Sequence, residues 1–209
     1  MKRLHRPDLF CWSAFAERPD IDFNSYVWVR EGQGNVVIDP LVLSEHDREH
    51  LRKLGGAAWV VLTNSDHVRA AESVAKDFGA KLAGPAGERA DFPLACDRWL
   101  ADGEELVPGL RAVAMEGSKT PGELALILEG TTLITGDLIR SHRADALMML
   151  SAQQGLVDVA AATRSLERLL TMGPFAAVLL GDGWSVFRDG HTYLRELHAS
   201  LTEASSTQA

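Results

Sequence analysis

The chain has 209 residues, 46% of them hydrophobic and 24% charged, with a net charge of −8. That length and apolar content suit one globular domain over residues 1–209. The acidic balance, with no basic stripe, excludes a nucleic-acid or anionic-membrane partner.

No apolar run approaches the roughly 20 residues needed to cross a bilayer. The first residues, Met1 to Asp8, lack the apolar core of a signal peptide, so a soluble, cytoplasmic protein is expected. Cys11 and Cys96 are too few for a disulfide framework or a thiolate zinc site. They read as small buried hydrophobes.

In chain order, Leu9 to Phe15 and Phe23 to Val29 have the aromatic and β-branched character of strands. A Gly-rich turn leads to a third strand, Asn35 to Asp39, stopped by Pro40. Ser44 is placed to cap a charged helix that ends at Gly55-Gly56. Trp59 to Leu62 is a short apolar strand that stops at Thr63. The polar run Asn64-Ser65-Asp66-His67 follows, and Val68, Ala71, Val74, Ala75 and Phe78 then recur at helical spacing until Gly79. A buried strand that ends in polar residues before a helix is where α/β proteins place their chemistry. The same residues would also serve as helix caps, Asp66 among them.

Lys81 to Pro85, Arg98 to Leu100, Glu105 to Val107 and Leu110 to Met115 read as strands. The loop Gly117-Ser-Lys-Thr-Pro-Gly precedes two more, Leu124 to Leu128 and Thr132 to Thr135, the second ending at Gly136-Asp137. An amphipathic helix is expected over 155–170, able to serve the core or a partner. A strand over Phe175 to Leu180 ends at Gly181-Asp182-Gly183, a last helix spans Gly190 to Leu201, and the tail frays. Trp184 and Phe187 are expected to pack inside. Arg140, His142 and Arg143 could line the same rim, but read better as an exposed basic loop. The order of elements predicts two mainly antiparallel sheets, face to face, with helices outside and polar loops along one rim.

Over nearly its whole length the chain resembles the metallo-β-lactamase-fold hydrolase superfamily. The pieces that carry the resemblance are Asn24-Ser-Tyr, Val37-Ile-Asp-Pro, Val60-Val-Leu-Thr, Phe78-Gly-Ala-Lys, Lys119-Thr-Pro-Gly-Glu, Leu133-Ile-Thr-Gly-Asp and Leu180-Gly-Asp-Gly. The resemblance implies an α/β (α+β) fold, a four-layer αββα sandwich with its active site on one rim. It also implies histidines and carboxylates that hold two metal ions and activate water.

Here most of that ligand set is replaced. Lys119 and Asp182 stand where the resemblance implies histidines, whereas Asp137 keeps the bridging aspartate. The central motif has two registers. Counted from Thr63, the ligand positions are Asn64, Asp66, Val68 and Arg69. Counted back from Phe78-Gly79, they are Asn64, Asp66 and His67, and helix length favours this second register.

The set that remains, Asp66, His67, Asp137 and Asp182, could hold one divalent ion (zinc, iron or manganese) at most, or none. Lys119 would neutralise the carboxylates, with Arg69 near enough to help, and Lys119 and Asp137 are the candidate catalytic groups. Asn64, Arg69 and Arg140 complete the rim. Ser65 and Ser118 lack the elbow motif of a nucleophile. Three readings follow: a degenerate superfamily member that binds a small molecule or has lost hydrolysis, a mononuclear hydrolase of a small ester, thioester or phosphodiester, and a non-catalytic binding or scaffold protein. Oligomeric state is not legible.

Overall fold

The computed structural model describes residues 1–18 and 20–207. Its first sheet is built from β1 (Lys2–Arg3), β2 (Leu9–Ala16), β3 (Ile21–Trp28), β4 (Val36–Ile38), β5 (Trp59–Val61), β6 (Lys81–Pro85) and β7 (Arg98–Leu100), in that spatial order. The second sheet takes β8 (Glu105–Val107), β9 (Leu110–Ala114), β10 (Leu124–Leu128), β11 (Thr132–Thr135) and, after the short pair β12 (Ile139–Arg140) and β13 (Met148–Met149), β14 (Ala177–Leu180), which lies beside β11.

The antiparallel expectation holds for most of the second sheet but for only half of the first. β4, β5, β6 and β7 pair in parallel, as do β11 and β14. Parallel pairing follows from the helices α1 (Glu45–Lys53) and α2 (Ala71–Phe78), which carry the chain back across the sheet between strands.

Side-chain alternation builds the layers. Ile38 and Val61 from the first sheet meet Leu124, Leu126, Leu128 and Ile134 from the second between the sheets. Val37, Val60 and Leu62, one residue out of phase, face Leu51 of α1 and Val74 of α2. Ala125 and Ile127 likewise turn outward onto Ala162, Leu166 and Leu169 of α3 (Val159–Met172) and Leu194 of α4 (Gly190–Thr207). The result is αββα, in agreement with the sequence reading.

Several elements differ from expectation in detail. The helix expected over 155–170 is a 3₁₀ turn at Ala152–Gln154 followed by α3, because Asp158 caps the helix at Ala161 N (3.0 Å) and sets its start there. The face of α3 that could have served a partner is core, with Leu166 and Leu169 fully buried. α4 continues past Leu201 to Thr207, and the rest of the tail expected to fray, residues 208–209, lies outside those described. α2 begins at Ala71, not Val68, because the polar run before it forms its own 3₁₀ turn, Ser65–His67, capped by Asn64 and not by Asp66. Cys11 and Cys96 are free and half-buried.

Trp184 and Phe187 are not packing residues. They are 57% and 43% exposed, since the loop after β14 turns outward at Gly183 (φ +95°) to bring Asp182 inward. Among the described residues, no helix is long and apolar enough to cross a membrane.

Candidate functional site

Five chain segments reach one rim. They are Asp39 after β4, the turn Asn64–His67 after β5, the loop 117–122 before β10, Asp137 after β11 and Asp182 after β14. Parallel strands that end side by side put these loops together, as expected at the C-terminal edge of such strands.

His67 is the pivot. Its backbone N–H donates to Asn64 Oδ1 (3.0 Å) and its ring Nδ1 lies 2.8 Å from Asp39 Oδ2. Asp39 is held in turn by Thr63, whose N–H and hydroxyl donate to its two oxygens at 2.8 and 2.6 Å. Nε2 then points into the rim, 3.6 Å from Asp137 Oδ1 and 3.8 Å from Asp182 Oδ1. Burial alone would lower the pKa of this imidazole, but Asp39, with hydrogen bonds to Asp137 and Asp39, outweighs both burial and the neighbouring Arg69. The net effect raises it to about 10.

Cationic side chains occupy the remaining sides. Arg69 Nη2 donates to Asp182 Oδ1 (3.1 Å) and stands 3.1 Å from His67 Nε2, while Nη1 donates to the carbonyl of Asn24 (2.9 Å). Arg140 Nη2 lies 3.1 Å from Asp182 Oδ2. Lys119 Nζ lies 2.8 Å from Asp66 Oδ2 and 3.1 Å from Asp137 Oδ2, an oxygen that also accepts from Asn64 Nδ2 (3.0 Å).

Burial would raise the Asp137 carboxyl, yet His67 and Lys119 hold it well below the usual carboxylate range. Asp182 is pushed up by burial and by Asp137, against the pull of His67 and the two arginines. Lys119 is raised: burial opposes its charge, but Asp66 and Asp137 more than offset that.

The structure therefore brings Asn64, His67, Arg69, Lys119, Asp137, Arg140 and Asp182 together. Asp66 joins them only through Lys119: its side chain is 51% exposed, and it lies outside the cluster of donor atoms formed by His67, Asp137 and Asp182. Arg140 departs from the exposed-loop expectation. It is buried because β12 draws it under the rim against Asp182, while His142 and Arg143 beyond it are exposed.

Two groups that sequence reasoning left without a role support this arrangement. Asp39 orients His67 and adopts a left-handed backbone (φ +47°) to do so. Its position before Pro40, at the end of an apolar strand, was the available signal. Glu123 accepts from Ser118 Oγ (2.5 Å) and from Leu138 N–H (2.8 Å), which ties the Lys119 loop to the Asp137 loop. Burial, and then the nearby Asp137, push it up to about 7.

Imidazole and carboxylate donors suit zinc, iron or manganese, and the donor atoms of His67, Asp137 and Asp182 lie within 4.8 Å of one another. Their surroundings do not suit an ion. Arg69 Nη2 is 3.1 Å from two of the three donors, and Lys119 is against the third residue. A dication there would meet ammonium and guanidinium charge at hydrogen-bond distance. The cavity that remains, about 300 Å³, is bounded by these groups and by Phe23 and Leu41.

An αββα sandwich with a polar rim built in this way defines a class of protein, and comparison with known families agrees. The model of the metallo-beta-lactamase superfamily matches residues 1–201, and the chain belongs to that superfamily.

Solved structures resemble it in fold. The DIM-1 metallo-beta-lactamase aligns with a TM-score of 0.73 at 17% identity over 95% of both chains. A beta-lactamase domain protein from Burkholderia ambifaria aligns at 0.66 and 21% identity, over 93% of this chain and 70% of that one. TTHA1623, solved in a di-iron-bound form, aligns at 0.67 and 21% identity, over 89% and 98%. No protein of curated function matches in sequence.

Proposed function

We propose that this protein is a superfamily member with a degenerate site, in which its own side chains supply the charge that metal ions supply elsewhere. In this reading the site does not assemble a dinuclear centre and acts as a binding pocket for a small molecule. The observation that carries it is the position of Arg69 Nη2, 3.1 Å from both His67 Nε2 and Asp182 Oδ1, with Lys119 bridging Asp66 and Asp137. Asp39, Asp66, Asp137 and Asp182 are thereby matched by His67, Arg69, Lys119 and Arg140, four against four. Buried carboxylates left unpaired would be costly, and a paired set is self-consistent without an ion.

The test is elemental analysis of protein equilibrated with zinc, iron and manganese in turn and then desalted. The expected outcome is no stoichiometric retention of any of them. About one ion per chain, lost in His67→Ala, would replace this reading by a mononuclear hydrolase. The clustering of the His67, Asp137 and Asp182 donor atoms is what favours that second reading. It requires Arg69 to withdraw first.

A further inference from the structure

The proposed pocket leaves open what it binds, and one group in it has an unused donor. Arg140 is 5% exposed and lines the cavity, and its Nη2 is engaged by Asp182, but its Nε–H has no partner. A buried guanidinium N–H without an acceptor is unusual, because the missing bond carries the full desolvation penalty. Lys119 on the same cavity has three N–H groups and two carboxylate partners, and its side chain is 27% exposed. Donors are therefore in surplus among the residues that line the cavity, whereas every carboxylate that lines it is paired.

The other walls are apolar. Phe23, with Arg69 stacked 5.1 Å above its ring, and Leu41 line the cavity. Next to these linings in the chain stand two of the most exposed large hydrophobic residues of the protein. Val42 follows Leu41 and is 80% exposed, and Trp184 comes two residues after Asp182. Single exposed apolar residues are common. These two adjoin lining residues of a polar cavity in the chain, and two more apolar residues stand inside it.

We propose that the pocket takes an amphiphilic anion, with a carboxylate or phosphate head at Arg140 and Lys119 and an aliphatic or aromatic body against Phe23 and Leu41, reaching the neighbouring Val42 and Trp184. This rests on the proposed metal-free pocket. The head would accept from the Lys119 ammonium and from the Arg140 guanidinium, once that group turns its enclosed Nε–H toward the cavity, both charge-assisted bonds. The body would cover apolar surface now in contact with water.

Calorimetric titration with octanoate, acetate, octyl phosphate, inorganic phosphate and 1-octanol tests this in tag-free protein. The two octyl anions should bind at least about tenfold more tightly than acetate and inorganic phosphate, since burial of even two methylenes is worth roughly that factor. 1-Octanol should bind far more weakly than either octyl anion, and comparison of the two anions tells carboxylate from phosphate. Trp184→Ala and Val42→Ser change exposed residues and keep the fold, and each should erase most of the octyl advantage and leave acetate binding unchanged. Arg140→Lys, which keeps the charge but removes the Nε–H, should weaken both octyl anions.

Equal affinity for octanoate and acetate, equal affinity for octanoate and 1-octanol, or no saturable binding of any of these probes would overturn the proposal. Stoichiometric zinc in the same preparation would instead overturn the metal-free reading on which it rests.

Discussion

Removal of Arg69 should convert the rim into a metal site, at a measurable cost in stability. Arg69 donates to the buried carboxylate of Asp182 at 3.1 Å and to the carbonyl of Asn24 at 2.9 Å, and its side chain is only 12% exposed. Each charge-assisted bond of this kind contributes about 1.5–3 kcal/mol. Two terms offset part of the loss in Arg69→Ala: Asp182 keeps Arg140 as partner, and the contact between the guanidinium and the protonated His67 disappears. A net loss of about 2–3 kcal/mol remains, or roughly 4–12 °C in Tm for a chain of this size. Arg69 also sits at φ +40°, so Arg69→Gly should lose about 1 kcal/mol less than Arg69→Ala.

The donors of His67, Asp137 and Asp182 would then face an open position. With zinc at about a hundred times its dissociation constant, binding would restore roughly 2.7 kcal/mol. Thermal unfolding of wild type and both variants, with a chelator and with zinc, is the assay. Zinc should raise Tm in the variants and leave the wild type unchanged. A wild-type shift as large as that of the variants would refute the argument that the guanidinium takes the place of the ion. So would variants that neither lose stability nor respond to zinc.

Three further outcomes are expected. His67 is raised from 6.5 to about 10, so its contribution is complete below pH 6.5 and is lost as pH rises through 10. Glu123, raised to about 7, similarly loses its contribution between about pH 4.5 and 7. Asp137, held low, contributes above about pH 3.8 and loses its contribution as pH falls below that. Denaturant midpoints measured from pH 3 to 10 should therefore be highest in the mildly acidic range, and His67→Asn should flatten the fall above pH 6.5.

Gly117 has φ +83°, and a methyl group there would stand 2.6 Å from Ala162 N and against the carbonyl of Asp158 at the start of α3. Gly117→Ala should thus cost about 2–4 kcal/mol in urea unfolding, more than Gly130→Ala, a positive-φ glycine with nothing within 4 Å. Leu166→Ala should cost about 2–5 kcal/mol if α3 is core. A loss under 1 kcal/mol would return that helix to the role of a partner surface.

Strand and helix periodicity were legible in the sequence because alternation and helical spacing are local. Val36 to Ile38, Trp59 to Val61 and Leu124 to Leu128 are continuous apolar runs, as expected of strands covered on both faces, and Gly79 ends α2 in the left-handed conformation that only a glycine adopts at low cost. The four layers followed from those patterns together with the quoted motifs. Lys119, Asp137, His67 and Asp182 were likewise legible as strand-end polar residues.

The sequence alone could not decide which polar groups pair, because the ion pairs that close the site join segments far apart in the chain. Asp182 reaches Arg69 across 113 residues, and Asp137 reaches Asn64 across 73. Arg140 looked like part of an exposed basic loop, and only its place in β12, under the rim, turned it toward Asp182. The roles of Asp39 and Glu123 as supports, the outward turn of Trp184, and the parallel half of the first sheet were decided the same way. Composition and periodicity specify what is buried. Which buried charges meet is settled only when the strand ends come together.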